Sequence, residues 1–91
     1  MLTLTANDIR LGARATDWKE ALAQAARDLE QAGYTTPDYL DGMMTRERQS
    51  STVLGHGIAI PHGTPESRGA VVATGVRVLQ FPDGITWHDG A

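Results

Sequence analysis

At Ser50 the sequence changes its period, and this change limits the possible fold more than any other feature of the chain. Before it, Trp18, Ala21, Leu22, Ala25, Leu29 and Ala32 recur at helical spacing and share one face. Lys19, Gln24, Arg27, Asp28, Glu30 and Gln31 mostly occupy the other face. Asp17 and Glu20 have capping-box spacing, Thr16 is an alternative cap, and Gly33 is a natural stop. A second helix is predicted from Thr36-Pro37, with threonine capping and proline at the first helical position. Tyr39, Leu40, Met43 and Met44 form its apolar face, and it ends near residues 46–49. Gly42 weakens that helix by about 1 kcal/mol relative to alanine.

After Ser50 the apolar segments are short, rich in β-branched residues and separated by glycine or proline. They are Val53-Leu54, Ile58-Ala59-Ile60, residues 71–79 and residues 85–87. Neither alternating face of 71–79 is strongly polar before Arg77, so this strand is expected to be covered on both sides. Pro82-Asp83-Gly84 reads as a turn between two strands, and Ile9 and Leu11 as part of a brief half-buried strand. Two helices followed by several strands predict an α/β (α+β-like) layered domain, a mixed sheet flanked by helices.

The 91 residues suit one small domain, and 41% apolar with 21% charged residues is a globular balance. The formal charge of −3, with no Lys/Arg-rich run, argues against nucleic-acid binding. No apolar stretch approaches the roughly 20 residues of a membrane span, and Met1-Leu2-Thr3-Leu4-Thr5 lacks the features of a signal peptide. The absence of cysteine rules out disulfides and thiolate metal sites, and it fits a cytoplasmic protein. The three histidines lack a helical i, i+4 pair, so no metal site is expected. There is no Walker phosphate loop and no G-x-S-x-G nucleophile elbow.

The stretch that carries chemistry is Gly55-His56-Gly57-Ile58-Ala59-Ile60-Pro61-His62-Gly63. Ile58-Ala59-Ile60 forms a short strand. Pro61 keeps Ile60 extended and ends sheet pairing, so His62 is presented at a strand end, and Gly63 removes bulk beside it. A neutral imidazole has one nitrogen with a free lone pair, while the other can be fixed by a hydrogen bond that aims the ring. These properties suit reversible phosphoryl transfer, in which positioning and charge stabilisation do most of the catalysis. Backbone N–H groups around Gly55, Gly57 and Gly63 are candidate donors to phosphate. Arg46 is a candidate cationic fork, a role compatible with satisfying the end of its helix. His56 is read as a solvent-facing loop residue in preference to a helper at the site. Glu47 is read as structural, pairing an arginine or accepting backbone N–H groups, and Ser51 and Thr52 as turn residues that could also donate to phosphate. The segment 64–68 is read as a solvated polar loop.

Glu47, six residues, Leu54-Gly55, two residues and then Ile58-Ala59-Ile60-Pro61-His62-Gly63 resembles the phosphohistidine signature of the fructose/mannitol-type enzyme IIA family. Every constrained position is met. Arg46-Glu47 and Ser51-Thr52 resemble the run that leads into the signature, the two helices resemble the family's opening, and Gly84-Ile85-Thr86-Trp87 resembles its G-V-x-W strand. The resemblance spans nearly the whole chain. It implies a phosphocarrier in which His62 accepts phosphate from the phosphohistidine of HPr and passes it to a cysteine on enzyme IIB, with no cofactor or metal. The start of the chain resembles an N-terminal fructose-type module, which implies fructose as the sugar. Nitrogen-type relatives share the signature and imply a second reading, a regulatory switch that binds partners according to phosphorylation state; an inactive fragment is a third.

Family domains run to roughly 140–150 residues, so residues 1–91 read as a partial domain. A further central strand, closing helices and a second active-site histidine belong to the remainder, and that histidine's role is not carried onto His88. Apolar surface and strand edges are therefore expected to be exposed and to favour self-association.

Overall fold

The computed structural model describes residues 4–87. Two helices, α1 (Trp18–Gln31) and α2 (Tyr39–Gln49), pack against each other, and four short strands follow or precede them: β1 (Ile9–Arg10), β2 (Val53–Gly55), β3 (Ile58–Ala59) and β4 (Val78–Leu79). Two 3-10 turns complete the architecture, at Ala6–Asp8 and Pro65–Ala70.

The start of α1 follows from its cap. Asp17 Oδ1 accepts the Glu20 N–H at 2.8 Å, whereas the Thr16 hydroxyl donates to the Glu20 carboxylate at 2.7 Å. α2 begins two residues later than its sequence suggests. Tyr39 N–H donates to Thr36 O and Asp41 N–H to Asp38 O, so the chain enters through tight i→i+3 turns before the α ladder is established.

The core is the helix–helix seam of Leu22, Ala26 and Met43, flanked by Trp18, Leu29, Leu40, Met44 and Trp87. The rings of Trp18 and Trp87 lie 6.3 Å apart at 43°. Asp28, assigned to the solvent side of α1 by periodicity, is instead buried. Arg77 Nε donates to its Oδ1 at 2.8 Å and Arg10 Nε lies 3.6 Å from its Oδ2, so a cation of β1 and one just before β4 neutralise a carboxylate that helical spacing alone would leave in water.

The α/β reading holds, but the described strands form two separate pairs rather than one mixed sheet. β1 and β4 run parallel, with Ile9 opposite Val78 and Arg10 opposite Leu79; β2 and β3 run antiparallel, with Val53 opposite Ala59. The strand expected over 71–79 shrinks to its last two residues plus one bridge from Val71 to Thr35. Val72 and Ala73 N–H groups both go to Tyr34 O, and Gly75 lies against the Tyr34 ring, so the segment is anchored to a loop instead of to a sheet. It is not covered on both sides: Val71, Val72 and Val76 are exposed. Leu11 is exposed as well, and 85–87 is not a strand, although the 82–84 turn forms with Gly84 N–H on Phe81 O.

Candidate functional site

The β2–β3 hairpin builds one wall of the site. Its turn centres on His56 and Gly57, with φ of 56° and 76°, the left-handed pair that matches the twist of a two-residue hairpin. Ile60 N–H donates to Thr52 O at 3.0 Å and extends the pairing by one step; Pro61 then stops it. His62 emerges exposed, and its Nδ1 lies 2.9 Å from Ile60 O. A carbonyl oxygen can only accept, so this contact places the ring proton on Nδ1 and leaves the lone pair on Nε2.

A cleft of about 430 Å³ is lined by His62, Gly63, Thr64, Arg46, Arg68 and Tyr39, among others. Arg46 comes from the last turn of α2. One of its guanidinium nitrogens donates to Ser50 O at 2.6 Å, so it closes the helix end while also lining the cleft. Arg68 comes from the 3-10 turn. Thr64 caps that turn by accepting Ser67 N–H at 3.2 Å, and Pro65 fits its first position. The Arg68 guanidinium forms no ion pair or hydrogen bond among the described residues, while its carbonyl accepts the Val71 N–H at 3.0 Å, and it is the functional candidate that the sequence left in a solvated loop. The Thr64-Pro65 pair, the same start signal as Thr36-Pro37, announces an ordered turn that puts Arg68 at a fixed place.

Two close approaches hold this corner together. Gly42 is buried where α2 meets the 3-10 turn, and a methyl group there would run into the Ser67 side chain. Its absence of a side chain thus serves packing. At Gly63 a methyl would strike Ser67 Oγ and lie 2.6 Å from Tyr39 Cε1.

The other candidates are placed differently. Gly55, His56 and Gly57 form the hairpin tip and do not line the cleft. Gly63 does line it, but its N–H donates to the Tyr39 hydroxyl at 2.8 Å and is not a free phosphate donor. Glu47 is 1% exposed and accepts the Thr52 N–H, the Thr52 hydroxyl and the Trp87 indole N–H at 2.9, 2.6 and 2.8 Å. The Thr52 hydroxyl is therefore committed to Glu47, and Ser51 Oγ accepts Val53 N–H at 3.1 Å. No group of three or more metal-ligating side chains occurs among the described residues, and His88 lies outside them.

The family described as "Phosphoenolpyruvate-dependent sugar phosphotransferase system, EIIA 2" matches residues 2–91. The chain belongs to this family. Its structural neighbours are also IIA proteins. The crystal structure of IIA mannitol from Escherichia coli superposes with a TM-score of 0.89 at 40% identity, covering 93% of this chain and 60% of that one. The complex of that enzyme IIA with phosphorylated enzyme IIB mannitol gives 0.89 at 38% identity, covering 94% and 60%. Among curated relatives, a multiphosphoryl transfer protein of Escherichia coli O157:H7 is 52% identical over 99% of this chain, and the mannitol-specific EIICBA component of Pasteurella multocida is 43% identical over 94%. The chain spans only 24% and 14% of the length of those two proteins. No described helix is long and apolar enough to cross a membrane.

Proposed function

We propose that this enzyme IIA domain is a phosphocarrier, with His62 Nε2 accepting a phosphoryl group from phospho-HPr and passing it to enzyme IIB. The observation that carries the reading is the Nδ1–Ile60 O contact on a histidine that lines a two-arginine cleft. In the first step the Nε2 lone pair forms a bond to phosphorus as the N–P bond of the donor phosphohistidine breaks, and the donor imidazole leaves with that electron pair. In the second, a thiolate of enzyme IIB takes the phosphorus and His62 recovers its lone pair. The phosphoryl group passes through a loose transition state with charge on three equatorial oxygens, and the Arg46 and Arg68 guanidiniums are the described groups suited to neutralise it. Glu47 and Thr52 support the site at a distance by fixing the start of the hairpin. The chemistry needs no cofactor, and the reaction belongs in the cytoplasm, where HPr would meet it.

The resemblance to multiphosphoryl transfer proteins supports the carrier over a nitrogen-type regulatory switch. Fructose is the proposed sugar, from the resemblance of the chain's opening to a fructose-type module. The similarity to a mannitol-specific component supports mannitol as the second reading. Incubation with phosphoenolpyruvate, enzyme I and HPr should add one phosphoryl group by intact mass, acid-labile and absent in His62→Ala. A folded chain that stays unphosphorylated overturns the reading. Growth of a strain lacking its own enzyme IIA on fructose or on mannitol separates the two sugars.

A further inference from the structure

Tyr39 opens α2 and lines the cleft beside His62, Arg46 and Arg68. Its hydroxyl oxygen accepts the N–H of Gly63, the residue after His62, at 2.8 Å, and its ring edge lies so close to Gly63 that only a glycine fits there. A phenol has one hydrogen to donate in addition to the lone pairs that accept. Gly63 occupies the accepting side, and among the described residues nothing receives the hydrogen. The hydroxyl therefore lies against Gly63, a residue of the cleft, with its donor unspent, and two arginines of the same cleft favour an anion there.

We propose that the Tyr39 hydroxyl donates a hydrogen bond to the phosphoryl group carried by His62, with Gly63 N–H holding the phenol oxygen in position. This rests on the phosphocarrier reading above. A phosphoryl group on nitrogen brings strongly accepting, charged oxygens, and an O–H donor to a charged acceptor forms a short, strong bond. Donation makes the phenol oxygen a better acceptor, so the Gly63 N–H bond tightens at the same time. The pair thus ties the phosphorylation state of His62 to the backbone leading into the 64–70 segment, where Arg68 resides.

Tyr39→Phe keeps the ring against Gly63 and removes only the hydroxyl. The test is a ³¹P titration of the chain phosphorylated by phosphoenolpyruvate, enzyme I and HPr. A donor to the charged form lowers the phosphoryl group's pKa. In Tyr39→Phe that pKa should therefore rise by on the order of half a unit to one unit, and transfer to enzyme IIB should slow by about tenfold. Wild type and variant titrating alike, both phosphorylated, would overturn this assignment and leave the carrier reading intact. A folded wild type that takes no phosphate overturns both. If Tyr39→Phe does not fold, the wild type decides: a proton–phosphorus correlation from the Tyr39 hydroxyl in the phosphorylated chain supports the assignment, and its absence overturns it.

Discussion

The carboxylate of Glu47 holds both the N–H and the hydroxyl of Thr52, at 2.9 and 2.6 Å, and so fastens the C-terminal turn of α2 to the strand pair that presents His62. The same carboxylate receives the Trp87 indole, which packs on Trp18 of α1. One buried acidic side chain links helix, hairpin and the far end of the described chain.

Glu47→Ala should destabilise the fold by about 2–4 kcal/mol, because it leaves three buried or half-buried donors without their acceptor. Glu47→Gln keeps one acceptor oxygen and should lose less. Urea denaturation measures both. Equal stabilities of wild type and Glu47→Ala would show that water satisfies these donors.

Gly42→Ala should lower stability by about 1–3 kcal/mol, as expected of overpacking, even though alanine favours an isolated helix by about 1 kcal/mol. Adding Ser67→Gly removes the atoms that a methyl at 42 would strike, and should restore most of the loss. A thermal melt in which Gly42→Ala alone is stabilising contradicts the close approach.

Acid should unfold the chain partly through Asp8. The Thr5 N–H, followed by the Thr5 hydroxyl and the Arg77 guanidinium, holds its carboxyl below the ordinary 3.8 despite an opposing desolvation effect. A depressed folded-state value contributes stability that is present above the unfolded value and is lost as pH falls through the folded one. Urea midpoints of wild type and Asp8→Asn should therefore differ at neutral pH, begin to converge as pH falls past about 3.8, and meet only below the lower folded-state value. Parallel curves down to low pH would remove Asp8 from the account.

Leu54, Ile58, Ile60 and Val72 are all more than half exposed, an apolar surface that water does not favour. Sedimentation velocity of this chain should show weight-average mass rising with concentration. A constant monomer mass, with the chain folded, contradicts self-association.

Much of the site was legible because its signals are local. The Asp17 cap and the Pro61 stop act on their immediate neighbours, so the position of His62 at a strand end follows from reading along the chain. What escaped depends on pairs distant in sequence. Asp28 looks solvated until Arg77, 49 residues on, reaches it. Gly42 looks like a weak helix position until Ser67 is laid against it, and Gly63 looks like a free donor until Tyr39 arrives from 24 residues earlier. The 71–79 segment misled for a related reason: β-branched residues favour strand geometry, but pairing needs a neighbour, and β1 offers only two residues.

The central claim is that His62 reacts through Nε2, because Nδ1 is occupied by the Ile60 carbonyl. Two-dimensional ¹H–¹⁵N spectra of the phosphorylated, ¹⁵N-labelled chain show which ring nitrogen bears phosphorus. Phosphorus is expected on Nε2 with Nδ1 still protonated. Phosphorus on Nδ1 would contradict it, since the ring would have to abandon the hydrogen bond that aims it.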